Sequence, residues 1–296
     1  MSSYYLSRVV IDDDRIKINI TESEFLALRV SMDCLVNILY IEEKYDFIVS
    51  NKISLDVALE YPIEMDMDMQ SHRYAKSEIN RHFANVLTTT RLYVDQGMRY
   101  GRKLDLLFGE SLVNFKGWFG QQYDARLGYR VMEALRNFVQ HRGDAIHRAS
   151  FGTYKEYIED RMIIVRRIDT YLEPSELRKE KKFKASVLEE LEAQTSRITA
   201  QSFLNEYLEG LREVHERFRA ATKEKYIEAT DCLSDAIFRY SGSAKDVIGL
   251  QAVEEQANRR DGLLGEVWCF CHFLRLRCVP HVAILKVSLF PVLHLT

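Results

Sequence analysis

The fold is decided by residues 78–95, EINRHFANVLTTTRLYVD, at the centre of a longer amphipathic segment. Apolar side chains and one threonine recur there three and four positions apart, which is the period of one helix face: Ile79, Phe83, Val86, Leu87, Thr90 and Val94. This spacing predicts a long helix over residues 71–100 that buries one face in a helical core. Its opposite edge is polar and includes Asn85 and Asp95.

The composition favours a mostly α protein. Only 13 of the 296 residues are Gly and four are Pro, and long charged, leucine-rich stretches separate them. This length suffices for a substantial core in one large or two modest domains. Five cysteines argue against a secreted disulfide framework, and the N-terminus lacks the pattern of a signal peptide, so we expect a cytoplasmic protein. A net charge of −3 argues against general coating of polyanions but permits a local basic groove.

The first 70 residues contain a predicted hairpin and two predicted helices. Apolar residues on both sides of the acidic turn 12–14 predict a short hairpin. Thr21 and Glu24 form a capping-box pattern at the start of a helix that we expect to end near Tyr40, and a second helix is predicted over 45–59. Pro62 and the alternation of Glu, Asp and Met over 64–69 interrupt the helical pattern and predict a boundary.

Further helices are predicted over most of the remaining chain. The ranges are 104–119, 123–142 ending at Gly143, 153–171, one or two helices over 176–225, and 230–240. After Gly265 the chain becomes apolar but is interrupted by charges, so we expect strands or an irregular tail and no membrane span. These breaks predict an N-terminal extension (1–62), a central helical domain (70–225) and a C-terminal segment with an apolar tail (226–296).

The predicted helix over 123–142 carries an arginine and a histidine five positions apart, Arg136 and His141. A guanidinium binds phosphate oxygens in a bidentate manner, and an imidazole transfers protons near neutral pH, so this pair suits phosphate-ester chemistry without a metal. Five helical residues advance about 7.5 Å and turn about 140°, so the two side chains do not share a narrow face. A second pair with this spacing, Arg142 and His147, spans a predicted turn and is the weaker candidate.

The segment from Arg136 through the polar Asn137 to His141, with the helix containing residues 78–95 upstream, resembles the HEPN superfamily over residues 70–220. That resemblance implies an antiparallel helical bundle, a homodimer and a metal-independent endoribonuclease whose site lies at the dimer interface. It implies attack of an RNA 2′-hydroxyl on the adjacent phosphorus, with RNA, including tRNA, as substrate. It also suggests a phage-defence or toxin effector, held or released by an inhibitory or activating protein partner.

Four further polar residues are candidates for supporting the phosphate or orienting the pair: Asn137, Arg142, Asn85 and Asp95. No cofactor is implied. The apolar tail contains Cys269, Cys271, His272, Cys278 and His281, but a Cys-x-Cys spacing is atypical of zinc sites, so no metal site is expected. The basic run 178–184 is interpreted as a solvated face that pairs with nearby acids, with guidance of RNA phosphates as the alternative. His215 is interpreted as a helix-surface residue.

A different class of function stays open. The chain can instead be a non-catalytic helical module that binds a protein partner or a nucleotide, with the Arg–His spacing a coincidence or a remnant. The near-neutral net charge favours this alternative, and the state of association discriminates the two.

Overall fold

A computed structural model describes residues 2–8, 16–60, 68–141, 143–158, 161–179, 183–193, 199–242, 250–256 and 267–269. Within these ranges the protein is mostly helical, as the composition predicts. The helices are α1 (Glu22–Leu59), α2 (Met69–Phe108), α3 (Phe115–Ala125), α4 (Leu127–His141), α5 (Pro174–Leu177), α6 (Ala185–Glu192) and α7 (Ala200–Ser241). The strands are β1 (Ser2–Arg8), β2 (Ile18–Ile20), β3 (Arg148–Ile158), β4 (Arg161–Tyr171), β5 (Leu250–Gln256) and β6 (Val267–Cys269).

The chain divides into two compact units, each built from separate pieces of sequence. Unit 1 contains residues 1–39, 103–110 and 222–296, and unit 2 contains residues 40–102 and 111–221. The division into segments 1–62, 70–225 and 226–296 stays a prediction. No helix in the described part of the chain combines the length and the apolar character that crossing a membrane requires.

Unit 1 contains an antiparallel sheet in the order β2-β1-β5-β6. Strand β1 pairs with β2, so the chain starts with an antiparallel strand pair as expected, but the first strand is residues 2–8, and the predicted strand residues 9–11 lie outside the described residues. Strand β5 covers the other edge of β1 over its whole length. Strand β6 lies in the apolar C-terminal segment and pairs with β5 through Gln251 and Cys269. The rest of that segment, including Cys271, His272, Cys278 and His281, lies outside the described residues.

The start of α1 has the predicted capping box. The hydroxyl of Thr21 accepts a hydrogen bond from the backbone N–H of Glu24 (3.1 Å), and the Glu24 carboxylate accepts one from the N–H of Thr21 (2.6 Å). The prediction of two helices was wrong, however, because α1 continues without interruption to Leu59. Buried Ile41 and Tyr45 keep the helical spacing across the expected break, and neither Gly nor Pro interrupts it.

Unit 2 has a core formed by α2, α3, α4 and the first part of α7. Its fully buried side chains include Ile79, Phe83, Leu87, Tyr93, Phe115, Leu135, Leu204, Tyr207 and Phe218. The start of α4 lies very close to α7, since a Cβ on Gly128 would lie 2.6 Å from the carbonyl oxygen of Phe203. Only glycine permits this approach, and the N–H of Gly128 donates to the Glu206 carboxylate (2.8 Å).

The helix predicted over 153–171 is wrong, because these residues belong to an antiparallel hairpin of β3 and β4, paired from Arg148–Tyr171 to Ile158–Arg161. The apolar run 162–165 contains three β-branched residues, a composition that favours strands but whose short length makes periodicity ambiguous. At the base of the hairpin, Ile168 and Thr170 are fully buried, so tertiary packing holds these residues extended.

Two other boundaries differ from prediction. Helix α2 continues to Phe108, so the helix expected over 104–119 is divided between the end of α2 and α3. Helix α7 extends from Ala200 to Ser241, so the segment 230–240 is its last part and no separate helix.

Candidate functional site

Helix α4 presents the Arg–His motif at its C-terminal end. Its apolar stripe is confirmed, because Val131 and Leu135 are fully buried and Phe138 is nearly so. With this face fixed in the core of unit 2, Arg136 lies at the edge between core and solvent and is half-buried.

The guanidinium of Arg136 is held by neighbours on its own helix. Its Nη2 donates to the side-chain oxygen of Asn137 (2.6 Å), and its Nη1 lies 3.4 Å from that of Gln140. Its Nε is buried and has no hydrogen-bond partner among the described residues. An arginine has five N–H donors, so these two contacts orient the group and leave donors for an anion.

His141 is the last residue of α4. The side chain of His141 and all of Arg142 lie outside the described residues. The backbone shows that both motif residues lie within the last two turns of one helix.

A cleft of about 380 Å³ opens beside this helix end. Helix α4 and the loop that follows it contribute Val139, Gly143, Asp144 and Ala145, residues on both sides of His141. Helix α2 forms the opposite wall with Arg73, Lys76, Ser77, Asn80, Arg81 and Ala84. Three cations and one acidic residue therefore line the cleft, which favours an anion.

The loop after α4 is fixed to α2 by a buried asparagine. The side-chain oxygen of Asn80 accepts a hydrogen bond from the backbone N–H of Ile146 (2.8 Å). The side-chain nitrogen of Asn80 donates to the carbonyl oxygen of Ile146 (3.4 Å). The ammonium of Lys76 donates to the carbonyl oxygen of His147 (3.1 Å). Both contacts set the width of the cleft, because they tie residues 146 and 147 to two successive turns of α2.

The two supporting residues predicted on α2, Asn85 and Asp95, lie at different positions along that helix relative to the end of α4. Helix α2 runs antiparallel to α4 and its loop, since Asn80 meets Ile146 whereas Arg91 lies 3.9 Å from Glu133. Asn85 is midway between these contacts along α2, near the level of the last turns of α4, and is half-buried. Asp95 lies one turn beyond Arg91 and forms an ion pair with it (2.8 Å).

His147, the histidine of the weaker pair, has a structural role. Its Nδ1 accepts a hydrogen bond from the backbone N–H of Glu173 (3.1 Å), and its ring contacts Phe138 edge-on. Burial lowers the pKa of His147 below its ordinary value, so the ring is neutral at pH 7. The neutral His147 ring, whose Nδ1 is bonded to the backbone of Glu173, therefore helps to position the loop after α4.

His215 was predicted at the surface, and this was wrong: its ring is only 1 % exposed. It stacks on Tyr45 at 3.8 Å, its Nδ1 lies 3.1 Å from the hydroxyl of Tyr93, and its Nε2 lies 3.3 Å from the carboxylate of Glu42. Arg219 forms a two-pronged ion pair with the same carboxylate. The prediction relied on charged sequence neighbours, whereas the position of His215 on α7 faces the aromatic core.

The charges of this network depend on one another. Burial alone raises the pKa of Glu42, but hydrogen bonds from Arg219 and His215 outweigh it and hold the pKa at about 2. Burial lowers the pKa of His215, and Glu42 opposes that shift without reversing it. The network is therefore a neutral histidine beside an arginine–carboxylate pair, which suits a structural role in the core.

Two other predictions concern the basic run 178–184 and the possibility of a metal site. In the basic run 178–184, Arg178 pairs with Glu192 and Lys179 with Glu176, which confirms the interpretation of a self-paired surface for these residues. Within the described ranges, no group of three or more His, Cys, Asp or Glu side chains is arranged to hold a metal ion.

Comparison with known proteins gives no relative from which to transfer a function. No protein-family model, no curated protein and no solved structure matches this chain.

Proposed function

We propose that this protein is a metal-independent endoribonuclease of the HEPN type, with its site at the C-terminal end of α4. The observation that carries the proposal is the cleft at this helix end, whose lining residues flank His141 in sequence and include Arg73, Lys76 and Arg81. Cleavage of a phosphodiester can use both groups of the motif, an arginine that stabilises charge on the phosphoryl oxygens and a histidine that transfers a proton.

In the proposed reaction, the 2′-oxygen of a ribose attacks the adjacent phosphorus and gives up its proton. The bond between phosphorus and the 5′-oxygen breaks, the leaving oxygen takes a proton, and a 2′,3′-cyclic phosphate remains. His141 transfers a proton, and Arg136 stabilises the charge on the phosphoryl oxygens. Asn137 supports this role of Arg136, because its side-chain oxygen fixes the guanidinium at 2.6 Å. Arg142 is proposed as a further phosphate ligand.

The proposal includes a two-fold homodimer. Arg136 and His141 diverge by about 140° around the helix axis, so one copy of α4 directs only part of the pair at a given phosphate. A two-fold axis near the helix end brings a second pair alongside the first. As an effector in phage defence or a toxin, such an enzyme would need an activating or inhibitory protein partner.

The test is incubation of the purified protein with labelled tRNA and mixed RNA in excess EDTA. Arg136→Ala and His141→Ala are compared with the wild type and with Arg102→Ala, a matched control that removes an exposed arginine of α2 far from the cleft. We expect fragments with 2′,3′-cyclic phosphate ends from the wild type and the control, and at least a hundredfold loss in the two motif variants. DNA of the same sequence should stay intact, because it lacks the 2′-hydroxyl.

Full cleavage by both motif variants would refute the assigned chemistry. Size-exclusion chromatography with light scattering shows whether all four proteins have the same association state, so that loss of the dimer is separated from loss of a reacting group.

The alternative is a helical module that binds a protein partner or a nucleotide without cleaving it. It is favoured by the two contacts that already occupy part of the Arg136 guanidinium and by the net charge of −3. A strict monomer that releases no fragments from any RNA would support this alternative.

A further inference from the structure

The wall of the cleft on α2 is a continuous stripe of one helix face. Its residues Arg73, Ser77, Arg81 and Ala84 are spaced by three or four positions, and Lys76 and Asn80 lie beside them. From Arg73 to Arg81 the stripe rises about 12 Å along the helix axis. Successive phosphates of one strand advance about 3.4 Å along the axis of a duplex, so the stripe is long enough to meet more than one phosphate.

The cations of the stripe keep donors for a ligand. Arg73 is exposed and forms no ion pair or hydrogen bond within the described part of the chain. Lys76 uses one of its three N–H donors on the carbonyl oxygen of His147. Arg81 is paired with Glu78 (2.6 Å) at the far end of the stripe, and Asp144 is the acidic residue of the lining. Arg73 and Lys76 therefore carry most of the available positive charge.

The stripe is held at a fixed place relative to the motif. Asn80 lies in the middle of the stripe, is 9 % exposed, and is bonded to the backbone of Ile146 beyond the end of α4. Because this buried hydrogen bond ties α2 to the loop after α4, the stripe keeps a fixed position relative to the end of α4.

We propose that the α2 stripe binds backbone phosphates beside the one that is cleaved, so that the substrate is a single-stranded RNA segment of several nucleotides. This inference rests on the proposed function for the position of the scissile phosphate. The cleft volume is in the range of sites that hold a small organic molecule, which is large enough for an unpaired nucleotide. Single-stranded loops are also where RNA is accessible to a side-chain cleft.

The experiment measures binding separately from cleavage. Full-length His141→Ala protein is titrated into a fluorescently labelled single-stranded 12-nucleotide RNA, and anisotropy gives Kd at several salt concentrations between 50 and 200 mM. Arg73→Gln and its matched control Arg102→Gln are each added to this background. Both remove one exposed arginine from α2, so net charge and helix are the same in the two proteins.

We expect Arg73→Gln to weaken binding about three- to tenfold and to reduce the slope of log K against log salt by about 0.7, the value for one lost contact to a single strand. Arg102→Gln should leave both quantities unchanged. Equal Kd and slope in the two variants, or no binding by the His141→Ala parent, would overturn the role of the stripe.

The two proposals fail in different ways. If the wild type cleaves RNA in EDTA but Arg73→Gln binds as tightly as Arg102→Gln, the stripe is refuted and the ribonuclease stands. If no protein cleaves RNA but Arg73→Gln alone weakens binding, the ribonuclease is refuted and the stripe stands. A duplex of the same 12-nucleotide sequence should bind at least tenfold more weakly, and equal binding would refute the preference for single strands.

Discussion

The network around His215 and the cleft at the end of α4 use similar side chains in opposite ways. In the network, Glu42 meets both Arg219 and His215, and the aromatic rings of Tyr45 and Tyr93 enclose the histidine. In the cleft, Arg73 is exposed, and Lys76 donates a single hydrogen bond, to the carbonyl oxygen of His147. Satisfied polar groups in a core stabilise the fold, whereas charged groups with remaining donors are available to a ligand. The difference identifies the cleft as the functional candidate even though the more perturbed pKa values are in the network.

The largest effect is expected from breaking the network at its centre. His215→Ala removes a buried ring and leaves Glu42 and Tyr93 without that partner, so we expect the free energy of unfolding to fall by about 4 kcal/mol. Arg73→Ala in the cleft should change it by less than about 0.5 kcal/mol. Urea unfolding followed by circular dichroism measures both. Equal effects in the two variants would contradict the division between a structural network and a binding cleft.

The second largest effect is expected from acidification, which should weaken the network around His215. The pKa of Glu42 is depressed in the folded state, so its contribution is present above pH 4.5 and is lost as pH falls towards 2. This contribution is on the order of 3 kcal/mol. Burial also depresses the pKa of His215, and the unfolded chain therefore binds that proton more readily, which lowers stability from about pH 6.5 downwards. Urea midpoints from pH 7.5 to 3 should fall steadily, and less steeply in His215→Gln; parallel curves would contradict this assignment.

A smaller effect is expected at the anchor between the two walls of the cleft. Asn80→Ala leaves the backbone of Ile146 without its side-chain partner, so we expect a loss of about 1 to 2 kcal/mol. Hydrogen exchange of the amide of Ile146 should accelerate, whereas the amides in the middle of α7 should exchange as in the wild type. An unchanged exchange rate at Ile146 would show that the loop after α4 is held by other contacts.

The smallest effect is expected at Asp95. Its ion pair with Arg91 is exposed, so Asp95→Asn should lower stability by about 0.3 to 0.5 kcal/mol. Its distance along α2 from the level of the motif also leads us to expect little change in RNA cleavage compared with Arg136→Ala. A strong loss of cleavage by an otherwise stable Asp95→Asn protein would support the sequence-based assignment of Asp95 to the site.

Local signals predicted much of this fold. The Thr21–Glu24 capping box, the helix through Ile79 and Phe83, and the stripe of Val131 and Leu135 all follow from spacings of three or four residues. The hairpin of β3 and β4 was missed because its central apolar run is equally compatible with a buried helix until its partner strand is known. The same limit applies to α1, where only the continuing burial of Ile41 and Tyr45 shows that the helix does not end near Tyr40.

The sequence by itself determined the helical class, the capped start of α1 and the candidate pair Arg136 and His141, because these depend on neighbours within a few positions. Tertiary structure alone decided which polar residues meet. His215 and Glu42 are 173 positions apart, and Asn80 and Ile146 are 66 apart, yet each pair is in contact. The burial of His215 and the cleft beside α4 arise from such long-range contacts. A periodic pattern on one helix does not predict which side chains of another helix will pack against it.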